Sequence, residues 1–413
     1  MQALAAHSQP RRRRRWLLAA LIAVLVVAGA GAGYALGQGG GTPGASGSGA
    51  ATGSGSGGGS GGSGGSSGGS GGSGTRASGG GSGHGSSAFT VASTDPAGSA
   101  TGVAANATLT VRFSAPVSTR GARPSLTPPV AGHWSRTAPG TLTFRPTAPL
   151  VPATTETLTV PGGRSGVHGA AGQHLASSTT VHFTVATGST LRLQQLLAQL
   201  GYLPLAYAPP TPAPAPQDMA EPQPGSLTWR WSMPSSLTSL WFTGEPSVIT
   251  KGAIMTFENQ NGLTVDGLAG PRVWTALLAD VASGKGDTTP YTYVLVTKTL
   301  PQHLTVFVDG ALKFPNVPVN TGAPGATTPA GTFQVFEHVR ASDMKGTNIT
   351  GSTYTDPTVP WASYFHTGDA LHGFPRAQYG FPQSNGCVEM PITLAGQIWP
   401  YTPIGTLVTV QGS

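Results

Sequence analysis

Cys387 is the only cysteine in the 413-residue chain and sits in the stretch Ser384–Pro391, "SNGCVEMP". A lone cysteine in a folded domain is more often a small buried apolar residue than a nucleophile. Its neighbours favour the second role. Gly386 permits a tight turn and a close backbone approach, and Ser384 and Asn385 suit the rim of a cleft better than a core strand. A thiol attacks usefully at neutral pH only beside a base or a cation. His372, fifteen residues upstream in "DALHGFPRAQYGFPQ", supplies that base if two adjacent strands bring the pair together. The chemistry is then nucleophilic, with Cys387 attacking and His372 as general base. His366, in "YFHTGD", is a second imidazole, read as a strand-end or loop residue. The spacing of His366, Asp369 and His372 fits no usual zinc pattern, so no metal is expected. No cofactor is expected either, because the glycine tract has no preceding strand and no Lys-Ser/Thr ending of the phosphate-loop kind.

The elements that must hold this pair are strands. From about residue 290 to 413, "YTYVLVTK" and "HLTVFVDGALKF" alternate as strands around Asp309-Gly310, a strong two-residue hairpin signal. "GTFQVFEHV" (Gly331–Val339) reads as another strand, Pro391–Trp399 as a short helix stopped by Pro400, and "GTLVTVQ" as a closing strand.

Upstream, 62 glycines, 36 prolines and only 9% charged residues favour loop-rich β domains joined by spacers. The net charge of +7 is local: taking Arg11–Arg15 from the 22 Lys and Arg leaves 17 against 15 Asp and Glu. No domain therefore carries an electrostatic footprint for nucleic acid. Residues 1–15 read as a basic cytoplasmic tail. Residues 16–37, uncharged and apolar, read as a transmembrane anchor or a cleaved signal, and both readings export the rest. A lipoprotein is excluded because no cysteine lies near this segment. Residues 38–88, almost only Gly, Ser, Ala and Thr, form a disordered linker with a reach of roughly 40 Å. Residues 89–187 carry period-two runs such as "TLTVRFS" and "TVHFTV" and read as a small β-sandwich spacer. Residues 188–282 carry three helical patterns: "STLRLQQLLAQLGY", "TKGAIMTFENQNG" and "GPRVWTALLAD". A Pro- and Trp-rich insert, residues 203–249, interrupts them. Its Trp229, Trp231 and Trp241 either stack on a carbohydrate or peptide or pack the insert down as a satellite core, and packing is favoured. The chain is thus multidomain and mainly β, with a sandwich, a small three-helix module and a β-rich C-terminal domain.

Three resemblances sharpen this reading. "TDPAGSATGVAANATLTVRFSAPV" resembles bacterial Ig-like domains, and the three helices with "LTVDGLAGP" resemble the type 1 peptidoglycan-binding module. "PVNTGAPGATTPAGTF", "VPWASYF", "ALHGF" and "SNGCVEM", in that order, resemble the YkuD-type L,D-transpeptidase catalytic domain. The last resemblance implies a cysteine nucleophile under a flap. The cysteine cleaves the bond after the third residue of a peptidoglycan stem and passes the acyl group from a thioester to a neighbouring stem. Carried over, Cys387 is the nucleophile and His372 the general base. Gly386 and the Cys387 amide form the oxyanion turn, Tyr364 lines the active site or is a core aromatic, and Gly373 permits close approach beside His372. The family pattern Ser-His-Gly-Cys is here Ser384-Asn385-Gly386-Cys387. Asn385 cannot take up a proton at neutral pH, so it reads as an altered hydrogen-bonding residue or as one that supports the residues touching substrate, and His372 carries the base role. The implied partners are peptidoglycan stems and glycan, the cytoplasmic membrane through residues 16–37, and carbapenem β-lactams as covalent inhibitors. The implied location is the extracytoplasmic envelope. A hydrolase using the same acyl-enzyme, and a non-catalytic peptidoglycan-binding scaffold, remain alternatives.

Overall fold

The computed structural model describes residues 88–412. The basic tail, the apolar segment 16–37 and residues 38–87 lie outside the described residues.

The period-two runs do become a sandwich. Strands β1 (Val91–Asp95), β2 (Leu109–Phe113), β3 (Ser125–Thr127), β4 (Gly132–Ala138), β5 (Thr141–Pro146), β6 (Thr155–Val160) and β7 (Thr179–Thr184) form sheets of order β1-β2-β5-β4 and β3-β6-β7. Alternate residues of β2, β5 and β6 (Leu109, Val111, Leu142, Phe144, Leu158 and Val160) fill the space between the sheets. That is the expected use of a pleated strand with one buried face.

The helical patterns also form. Helix α1 (Thr190–Gln199) starts where the Ser189 hydroxyl accepts the Arg192 N–H at 3.0 Å, and it buries Leu193, Leu196 and Leu197. In the insert, β8 (Leu205–Tyr207) pairs with β9 (Leu227–Trp229), followed by the single turn α2 (Ser235–Thr238). Helices α3 (Val248–Gln260) and α4 (Pro271–Ser283) follow, the second with Pro271 in its first turn. The insert packs down into the helices' own core rather than a satellite one: Leu203, Leu205, Tyr207 and Leu237 are buried with the helices, and Trp229 and Trp241 pack against them, whereas Trp231 lies outside that core with the Arg230 guanidinium 4.5 Å over its ring. The three-helix region is not a separate body. It shares one core with Tyr293 and Leu407 of the C-terminal domain, the Gln334 side chain donates to the Val248 carbonyl at 3.0 Å, and Leu278 reaches the sandwich core. The insert also touches the sandwich, where Asn106 donates to Asp218 at 2.9 Å.

In the C-terminal domain, β10 (Thr292–Thr297), β11 (His303–Val308) and β12 (Ala311–Pro318) run as a meander. Its hairpin turns on Asp309 and Gly310, both at positive φ, as a mirror-image turn requires. The expected single strand Gly331–Val339 is broken. Strand β13 (Gly331–Gln334) stays in the first sheet, whereas β14 (Glu337–Thr347) belongs to a second. The break falls at Val335, which is buried and donates to the Thr406 carbonyl at 2.8 Å. Strands β15 (Thr353–His366), β16 (Asp369–Gly373) and β17 (Val388–Met390), then helix α5 (Ile392–Ile398) and β18 (Leu407–Gln411), complete the domain. The sheets have order β12-β11-β10-β18-β13 and β14-β15-β16-β17. Val294, Val296, Leu304, Val306 and Val408 from one sheet pack against Phe365, Leu371, Val388 and Met390 from the other.

One polar residue breaks the sandwich pattern. Glu156 points inward from β6, is 1% exposed, and its Oε2 has no hydrogen-bond partner. Burial pushes its carboxyl up to about 7. The folded carboxyl therefore holds its proton over a range where the unfolded one has lost it. Stability is fully present below the unfolded value of about 4.5 and falls as pH rises toward about 7. The neutral isostere Glu156→Gln is expected to unfold at a higher temperature than the native chain at pH 8, by about 3 kcal/mol in stability. The difference should vanish near pH 4. A difference that is the same at both pH values would show that Glu156 does not titrate with folding.

Candidate active site

The parallel pairing of β16 with β17 matches Leu371 with Val388, His372 with Glu389 and Gly373 with Met390. Leu371, Val388 and Met390 enter the core. Alternation sends His372 and Glu389 to the opposite face, together with Ala370 and Cys387, the residues just before these pairs. The Ala370 N–H donates to Cys387 Sγ at 3.4 Å, which fixes that register at the thiol. His372 lies one strand over and two residues along, a step of about 6.6 Å in the strand direction. The expected pair thus shares one face of the sheet but is not hydrogen-bonded. The thiol's own partner as donor is the Gly368 carbonyl, at 3.7 Å.

The turn that presents Cys387 is tightly specified. Gly386 has φ 122°, and a Cβ there would stand 2.2 Å from Asp369 Oδ1, so neither backbone nor space admits a side chain. Gly373 also admits a close approach, but the neighbour is α5: a Cβ would meet Ile392 Cα at 3.0 Å and Ala395 Cβ at 3.2 Å. Ser384 is 1% exposed; its hydroxyl donates to the Cys387 carbonyl and accepts the Gly386 N–H at 3.2 Å. The Gly386 N–H is thereby engaged, which leaves the Cys387 N–H as the open donor of this turn: it has no hydrogen-bond partner among the described residues. Asn385 is exposed, and among the described residues its side chain makes no hydrogen bond. It lies at the solvent side of the turn.

Several supports gave no signal of function in sequence. The fully buried Thr328 hydroxyl donates to the Gly386 carbonyl at 2.6 Å and accepts the Gly322 N–H at 2.9 Å. Asn320, also fully buried, exchanges two backbone hydrogen bonds with Glu389, both 2.9 Å, and its side chain ties down Gln378 and Gly380. Both lie in "PVNTGAPGATTPAGTF", whose polar residues directly after an alternating apolar strand were the available clue.

Protonation follows from burial. Cys387 is half-buried, and its thiol is pushed up to about 12, mainly by desolvation. His372 is 3% exposed, and desolvation holds its ring below the usual imidazole range. Its Nδ1 faces the Gly373 carbonyl at 3.1 Å. A carbonyl only accepts, so Nδ1 carries the proton and Nε2 keeps the lone pair. At neutral pH the site therefore holds a neutral thiol and a neutral imidazole. His366 does end a strand: its Nδ1 bonds Asp369 Oδ2 at 3.1 Å, and its ring packs 4.8 Å from Phe333. The long β14–β15 hairpin adds two phenols. Tyr364 pairs with Ala370 in register, and its hydroxyl bonds Ser342 at 2.7 Å. Burial is the largest cause raising both Tyr364 and Tyr354, the second a residue the sequence did not single out.

Residues 291–410 match the family model of the L,D-transpeptidase catalytic domain, known as YkuD. This part of the chain is an L,D-transpeptidase catalytic domain. Residues 85–185 match the bacterial Ig-like domain. The helical region is present, but no match identifies it as a peptidoglycan-binding module. No curated protein matches the chain. Among solved structures, an L,D-transpeptidase from Mycobacterium smegmatis is 15% identical, covers 78% of this chain and 99% of its own, and has a TM-score of 0.28. The catalytic domain of the E. faecium L,D-transpeptidase acylated by ertapenem is 27% identical, covers 30% and 100%, and has a TM-score of 0.27. The two family models carry the assignment, since TM-scores this low add nothing to it.

Replacing Thr328 by the isosteric Val is expected to strand a buried carbonyl and a buried N–H. It should cost about 2 kcal/mol in urea unfolding, with Thr328→Ser close to native. A Val variant as stable as the native chain would show that the bridge does not hold the Cys387 turn.

Proposed function

We propose that the protein is an extracytoplasmic L,D-transpeptidase that crosslinks peptidoglycan stems through a Cys387 thioester, with His372 as general base. The observation that supports this reading is the shared face of β16 and β17, which carries both a buried imidazole with its Nε2 lone pair and the single thiol, within the part of the chain that matches the L,D-transpeptidase catalytic domain.

In this reading Cys387 Sγ attacks the carbonyl after the third stem residue while His372 Nε2 takes the thiol proton. The carbonyl oxygen becomes an oxyanion and meets the free Cys387 N–H. Collapse breaks the C–N bond, and the imidazolium returns its proton to the departing D-Ala amine. A side-chain amine of a second stem then attacks the thioester, gives a proton to His372, and releases the thiol as the crosslink forms. Water in place of the amine would yield a shortened stem, which is the hydrolase alternative. The raised thiol pKa favours this concerted route over a standing thiolate, because the proton has to move as the bond forms. Tyr364, in the row Tyr364–Ala370–Cys387, is assigned to the lining of this cleft. The Ig-like domain serves as a spacer, residues 16–37 as the membrane attachment or export signal, and the helical region as the part that would meet the wall. The shared core favours an orienting role for those helices over that of a loosely tethered binding module.

A carbapenem tests the acylation half-reaction. Intact-protein mass should show one adduct on the native chain and none on Cys387→Ala. Adduct formation should be slowed about a hundredfold or more in His372→Gln and nearly unchanged in His366→Gln. With a tetrapeptide stem dimer, crosslinked product supports transfer and tripeptide alone supports hydrolysis. A folded native chain that takes no adduct would favour a non-catalytic scaffold, and normal labelling of His372→Gln would remove its base role.

A further inference from the structure

A charged pair that the transfer steps do not use lies beside His372. Glu389 is its direct partner in the β16–β17 register, and its side chain is 6% exposed. Both carboxylate oxygens are taken by Arg376, Nε to Oε2 at 2.8 Å and Nη2 to Oε1 at 2.7 Å. The Arg376 guanidinium lies 4.6 Å from the Phe374 ring centre, and Phe374 meets the His372 ring edge-on at 5.9 Å. The Tyr379 hydroxyl pins the same loop, accepting the Arg376 N–H at 3.2 Å and donating to the Phe374 carbonyl. His372, Phe374, Arg376 and Glu389 therefore close a ring of contacts. Packing does not explain that choice. A buried ion pair carries a desolvation cost that often cancels its attraction, and an apolar side chain of similar volume usually serves stability as well or better.

We propose that Glu389, locked by Arg376, is a positioning residue for His372, holding a fixed negative charge beside the ring at the moment it takes up the thiol proton. The proposal rests on His372 being the base for Cys387. The charged groups facing the ring are Glu389 from β17, Arg376 from the loop after β16 and Asp356 from β15. Burial is the largest influence and lowers the ring's proton affinity. The Gly373 carbonyl opposes it, as do Glu389 and Asp356, and Arg376 reinforces it. Glu389 thus offsets part of the desolvation that would otherwise leave His372 too weak a base.

The test follows the pH dependence of carbapenem acylation of Cys387 in the full chain, alongside NMR titration of the His372 ring. In Glu389→Gln, the acid limb and the ring titration should both move to lower pH by about one unit, and the plateau rate should fall about tenfold. In Arg376→Gln, where the carboxylate is left uncompensated, both should move to higher pH, and the double variant should return toward native. A merely structural pair would slow both single variants while leaving both midpoints in place. Unchanged midpoints in a folded Glu389→Gln, or single variants that move in the same direction, would overturn the proposal. Should Glu389→Gln fail to fold, Arg376→Gln, at a partly exposed position, carries the test by its opposite sign. If the native chain is not acylated at all, the transpeptidase reading fails, and the NMR titration still decides the charge effect on His372.

Discussion

The parallel register between β16 and β17 decides which side chains share a face with the thiol. Strand alternation has a period of two, so a slip of one residue would send His372 into the core and Leu371 toward Cys387. The fold guards that register from three sides. The inward triad of Leu371, Val388 and Met390 is tied to the core, and α5 presses so close on Gly373 that only glycine fits there. Asn320 adds a two-bond clamp on Glu389 from the segment after β12. These restraints are polar on one face and apolar on the other, so no single one has to hold the geometry alone.

Burial then sets the protonation states. The same desolvation raises the thiol and lowers the imidazole, so both resting groups are neutral, and in the proposed mechanism the proton moves as the carbonyl is attacked. Such a thiol is less exposed to oxidation than a standing thiolate. That property suits a chain whose one cysteine has no second cysteine to pair with. The Gly386 turn contributes geometry as well as space, leaving the Cys387 N–H open while Ser384 engages the N–H before it.

Much of this was legible in the sequence, and the limits have physical causes. Leu109, Val111 and their alternating neighbours mark the sandwich because one face of each strand is buried. Leu193, Leu196 and Leu197 mark α1 for the same reason at helical spacing. The Gly331–Val339 run read as one strand because its apolar pattern continues through Val335, whose bond to Thr406 still belongs to the first sheet, and only at Phe336, which donates to the Tyr364 carbonyl, does the chain pass to the second. The helices' shared core with Tyr293 and Leu407 was hidden, since an apolar face does not say what covers it. At the site, Cys387 and His372 stood out by residue type. Thr328, Asn320, Glu389 and Arg376 did not, because each acts through a partner far away in sequence. Asn385 drew attention as the odd residue of its motif, yet the structure puts it on the exposed side of the turn.

Because Cys387 is the only cysteine, the far-ultraviolet thiolate absorbance of the native chain minus that of Cys387→Ala reads its ionisation without interference. With the thiol pushed up to about 12, no thiolate signal is expected through neutral pH, and the rise should begin only well into the alkaline range. A thiolate that titrates at or below about pH 7 would mean that Cys387 stands ionised before substrate arrives, and the base-coupled attack through His372 would be wrong.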